Sequence, residues 1–147
     1  MYVQDQENHT YTIKFDTGAN KTAISAEIIF GTLTDQKLEA IKKLFEGKVQ
    51  PEICYSASGH EIMVYPVVSN NVIIGGCEFP YFYYYLVLDR LKENRKIALL
   101  GDNFIDCCGL TKKPHEDIII NEFDVENYRI SSMHLSMNEI MEMICSK

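Results

Sequence analysis

Asp16, Thr17 and Gly18 stand together at the end of an alternating run, Tyr11-Thr12-Ile13-Lys14-Phe15, and their types and spacing suit chemistry better than any others in this 147-residue chain. Alternation of polar and apolar side chains over residues 9–15 predicts a half-buried strand, and Gly18 would lend a tight turn its backbone freedom. An aspartate delivered in this way is a carboxylate at a strand end, able to take or give a proton. A second run, Ile97-Ala98-Leu99-Leu100-Gly101-Asp102, lies far down the chain.

Other groups are weaker candidates. Cys107-Cys108 lacks Cys-x-x-Cys or histidine at ligand spacing, so the pair reads as two half-buried core residues. His60 reads as a solvated turn histidine, and Tyr81, Tyr83, Tyr84 and Tyr85 as a largely buried aromatic strand. Gly75-Gly76 is a turn without a phosphate-binding pattern. No metal or other cofactor is implied.

The elements that must position Asp16 follow from periodicity. Residues 22–31 suggest a buried strand and a helical turn. Thr34 reads as the N-cap of a helix with Leu38, Ile41, Leu44 and Phe45 on one face, Glu39 and Lys43 as an exposed pair, and Gly47 just past its end. Ile53-Cys54-Tyr55 and Ile62-Met63-Val64-Tyr65 predict a hairpin with a small-residue tip at Ala57, Ser58 and Gly59. A further hairpin turns at Gly75-Gly76 between residues 72–74 and 79–88. Residues 92–96 form a charged loop, Asp102 starts a short helix, and 117–123 is another strand candidate. Ser136 to Glu139 fits a capping box opening a terminal helix, part of a helical C-terminal extension at about 134–147. The apolar face of that helix would meet another subunit or its own barrel.

Composition bounds the rest. With 46% hydrophobic residues the chain can bury one core, so residues 1–147 read as a single domain. A net charge of −7 opposes binding to nucleic acid or to an anionic membrane surface. The longest apolar run, residues 81–88, is too short to cross a bilayer. Five cysteines, an odd number, and a start with neither a basic nor an apolar leader segment point to a cytoplasmic setting.

Asp16-Thr17-Gly18-Ala19, then a hairpin at 53–65, then Leu99-Leu100-Gly101, over residues 11–106, resembles the retropepsin-like aspartic protease family. The resemblance implies an all-β barrel with accessory helices that carries one half-site per chain. It implies a homodimeric aspartic endopeptidase acting on peptide or protein substrates. Asp16, Thr17 and Gly18 would be catalytic, with Thr17 locking the two loops across the dimer axis. Ala19, Asn20, Leu99 and the tip residues Ala57, Ser58 and Gly59 would contact substrate. Asn20 and Asp102 stand where viral relatives carry an acidic and a basic residue, so a hydrogen bond between them would replace an ion pair. The alternative is a protein of the same fold that binds peptides or dimerises without catalysis.

Overall fold

The computed structural model describes residues 1–55, 59–91, 95–111, 118–128 and 133–145. In chain order the elements are β1 (Tyr2–Gln4), β2 (Thr10–Thr12), β3 (Lys14–Phe15), β4 (Ala23–Ser25), α1 (Ala26–Phe30), α2 (Asp35–Phe45), β5 (Glu52–Tyr55), β6 (Glu61–Ile74) and β7 (Cys77–Val87). They continue with β8 (Ala98–Leu100), α3 (Asp102–Ile105), β9 (Cys108–Thr111), β10 (Ile119–Phe123), β11 (Leu135–Ser136) and α4 (Met137–Cys145). No helix among the described residues is long and apolar enough to cross a membrane.

Nine strands form one mixed sheet in the order β2-β1-β6-β7-β4-β8-β3, with β5 and β11 also paired to β6. The two ends of this path, β2 and β3, are separated in the chain by Ile13 alone. The sheet must therefore curl until its first and last strands meet, which makes a mainly β, nearly closed mixed barrel. β9 and β10 form a separate antiparallel ribbon.

The frame of the barrel is the β6–β7 hairpin. Gly75 and Gly76 both take positive φ, 57° and 82°, the geometry that a two-residue hairpin turn matching strand twist requires. From that turn the strands pair from Ile74↔Cys77 to Val64↔Val87. The expected short strands at 62–65 and 72–74 are thus one 14-residue strand. Pro66 is tolerated within it because it falls between the stretch paired with β5 (61–64) and the stretch paired with β11 (67–68), where one edge lacks a partner.

The helices close the barrel. Thr34 Oγ1 accepts from the Lys37 N–H at 3.2 Å at the start of α2, and Gly47 follows its end with φ 75°. Leu38, Ile41 and Phe45 are buried in the core, as the helical spacing predicts. Glu39 pairs with Lys42 one turn away, at 3.5 Å, instead of with Lys43. At the C-terminal end Ser136 Oγ accepts from the Asn138 N–H, and Met137 and Ile140 of α4 are buried in the same core as the barrel strands. The apolar face of α4 thus packs on its own barrel.

Candidate active site

Asp16 lies on a loop between two strands that do not pair with each other. β8 is inserted between them, parallel to β3 (Lys14↔Leu99, Phe15↔Leu100) and antiparallel to β4 (Ala23↔Leu99, Ile24↔Ala98). The loop 16–22 is therefore anchored at both ends to the same three-residue strand. At its start the Asp16 N–H donates to the Leu100 carbonyl at 3.0 Å, and at its crest the Asp102 N–H donates to the Ala19 carbonyl at 2.8 Å.

The turn is shaped by Asp16 itself. Its Oδ1 accepts from the Gly18 N–H at 2.9 Å, and its carbonyl accepts from the Ala19 N–H at 3.2 Å. Gly18 does not take a left-handed backbone, contrary to the reading of its role as conformational freedom. A Cβ there would stand 3.2 Å from Asp16 Oδ1, so the missing side chain keeps space for the carboxylate. Asp16 remains half-buried, with Thr17 and Gly18 exposed beside it.

Behind the loop is a polar chain that the sequence reading missed. Thr22, fully buried, accepts the Gly101 N–H on its Oγ1 at 3.1 Å. Both its own N–H and its hydroxyl donate to Asn103 Oδ1 at 2.8 Å. Its carbonyl accepts the Tyr85 N–H at 2.8 Å. Thr22 and Asn103 thus brace the loop, where a bond between Asn20 and Asp102 was expected. A buried threonine among apolar neighbours was the one available sign, and nothing local pointed to Asn103 as its partner.

Gly101 shows how tight this packing is. A Cβ there would lie 2.4 Å from the carbonyl carbon and oxygen of Lys21 and 2.8 Å from its nitrogen. These are backbone atoms and cannot step aside. The Leu-Leu-Gly run therefore owes its glycine to backbone meeting backbone.

Among the predicted contact residues, Ala19 and Leu99 are half-buried and gathered at this centre, whereas Asn20 is exposed on the loop. Gly59 is exposed at the tip of the β5–β6 hairpin with φ 83°, and Ala57 and Ser58 fall outside the described residues. The hairpin meets the loop at its base: Glu52 Oε1 lies 4.0 Å from Lys21 Nζ.

The alternative chemical groups are occupied elsewhere. Burial pushes the Cys108 thiol up to about 12, with Cys107 and Cys77 adding to the effect, and burial raises Cys107 as well. Such thiols are poor nucleophiles and poor metal ligands. Asp5, Glu7 and His9 bring ligand-type atoms within 4.8 Å of one another. However, the Asp5 carboxylate already accepts the N–H groups of Glu7 and His9 and meets His9 Nδ1 at 2.7 Å. That group closes the turn between β1 and β2.

No protein-family model matches the sequence, and no curated protein matches it. Among solved structures, a crystal structure of a retropepsin-like aspartic protease from Rickettsia conorii matches with 22% identity. The match covers 82% of this chain and 78% of that one, at a TM-score of 0.42.

Proposed function

We propose that this chain is one half of a homodimeric aspartic endopeptidase, in which Asp16 of each protomer supplies one of two carboxylates acting on a single water. The observation that carries this reading is the setting of Asp16. Its carboxylate is oriented by the Gly18 N–H, and the loop is clamped to β8. It is also half-exposed, so a second carboxylate and a substrate can reach it.

Two adjacent carboxylates cannot both ionise at low cost, so they share one proton, the general behaviour of aspartic proteases. The ionised member takes a proton from the water as it attacks the peptide carbonyl. The protonated member gives its proton to the carbonyl oxygen. One Asp-Thr-Gly per chain means that a two-fold axis must bring the second Asp16. The exposed Thr17 hydroxyl has no partner among the described residues and suits a contact across that axis. An extended substrate would lie between the loop and the β5–β6 hairpin, whose tip would close over it. All five cysteines are free thiols, which suits the reducing cytosol.

Replacing Asp16 with Asn tests the reading. Cleavage of a peptide mixture, followed by mass spectrometry, should fall at least about a thousandfold while the circular dichroism spectrum is unchanged. Equal cleavage by the variant sinks the assignment. Binding of the same peptides without cleavage by the wild-type protein would replace it with a peptide-binding module.

A further inference from the structure

Lys21 lies between the Asp16 loop and the base of the β5–β6 hairpin. Its backbone lies under Gly101, at the closest approach in the site. Its side chain, about one-fifth exposed, reaches away from the loop to Glu52 at the first residue of β5, with 4.0 Å between Nζ and Oε1. The same ammonium sits 5.6 Å from the centroid of the Tyr85 ring, a cation–π distance. Tyr85 is itself fixed, because its N–H donates to the Thr22 carbonyl and it pairs with Ala23 of β4. Burial and the neighbouring Glu52 carboxylate raise its hydroxyl well above the ordinary tyrosine range, so the ring stays neutral beneath the ammonium. Burial raises the Cys54 thiol of β5, and the Lys21 charge opposes that rise.

We infer that Lys21 and Glu52, with the Tyr85 ring beside them, form a latch that holds the base of the β5–β6 hairpin to the Asp16 loop and sets how readily the hairpin opens. Lys21 and Glu52 are positioning residues: their charges hold the hairpin without taking part in proton transfer. Apolar contacts between hairpin and barrel are indifferent to charge sign, whereas the latch is not. Reversing one member sets two like charges face to face at the hairpin root, and reversing both restores attraction.

The consequence for turnover rests on the reading of Asp16 as a catalytic group, but the latch itself does not. The test compares wild type, Lys21→Glu, Glu52→Lys and the double variant by amide hydrogen exchange. Each single reversal should speed exchange over residues 52–55 and 61–64 by about threefold to tenfold, with the β6–β7 pairing near residue 74 unaffected. The double variant should return to within about twofold of wild type. Single variants that exchange like wild type, or a double variant no better protected than the singles, overturn the latch. If the protein cleaves peptides, KM should rise in the single variants and recover in the double, with kcat nearly constant. If it cleaves none, the proposed function fails while the exchange result still decides the latch.

Discussion

The Asp16 loop is fixed by hydrogen bonds and by close backbone packing. Its hydrogen bonds run to Leu100 and Asp102, its buried threonine is bonded on every polar atom, and Gly101 lies against it with no room for a methyl group. Beyond the Val64↔Val87 pair, the β5–β6 hairpin beside it rests on side chains. Ile62 and Val64 share a small cluster with Ala23, Tyr85 and Val87, set apart from the main core, while Ile53, Tyr55 and Met63 face solvent. Regions with few buried apolar contacts open at lower free energy than the global unfolding of the protein. One region thus holds a carboxylate through hydrogen bonds and close backbone contact, and the other is secured by fewer buried contacts.

Three experiments bear on that contrast, beginning with the largest expected effect. Gly101→Ala should cost about 3 kcal/mol in urea denaturation, because a Cβ at 2.4 Å from backbone can be accommodated only by moving a strand. A variant as stable as wild type would show that the loop is looser than its packing implies. Ile62→Ala should cost less, about 2 kcal/mol, since the small cluster can settle as the hairpin shifts. Faster amide exchange in this variant should be confined to residues 52–55 and 61–64. Exchange that rises equally at β8 would erase the distinction between the two regions.

The third effect, the smallest, depends on pH. Tyr85 ionises at higher pH in the folded protein than in the unfolded chain, through burial and the Glu52 charge. A group raised on folding contributes stability that is complete below its unfolded value, about pH 10, and is lost as pH rises beyond it. Wild type should therefore lose stability faster than Tyr85→Phe above about pH 10, with a difference in alkaline midpoint of less than about one pH unit. Parallel curves for the two proteins would remove Tyr85 from the hairpin root.

Local rules made several of these elements legible. The Thr34 cap, the 38-41-45 stripe and Gly47 act within a few residues of one another, and α2 lies where they place it. The Gly75-Gly76 turn and the β5–β6 pairing are equally local. The Asp16 turn was visible as well, although its glycine answers to a side-chain contact instead of a backbone angle. What stayed hidden was the support. Thr22 and Asn103 are 81 residues apart, and neither carries a periodic signal. The insertion of β8 between β3 and β4 depends on pairings set by tertiary packing, and the through-run of β6 past Pro66 depends on which neighbouring strands happen to be absent at one edge.

The insertion of β8 also sets an order of events during synthesis. Residues 14–25 are made well before their partners: β4 can dock on β7 once residues 85–87 have emerged, but β3 has no strand to pair with until Ala98–Leu100 has been made, and the brace waits for Asn103. Closing so long a stretch of chain must come before the contacts that reward it, which places assembly of this centre late and makes it slow relative to the local hairpins. A nascent or truncated chain ending before residue 98 would carry Asp16 on a loop held at its Thr22 end alone, and the strand that delivers its carboxylate would be fixed only once β8 had arrived.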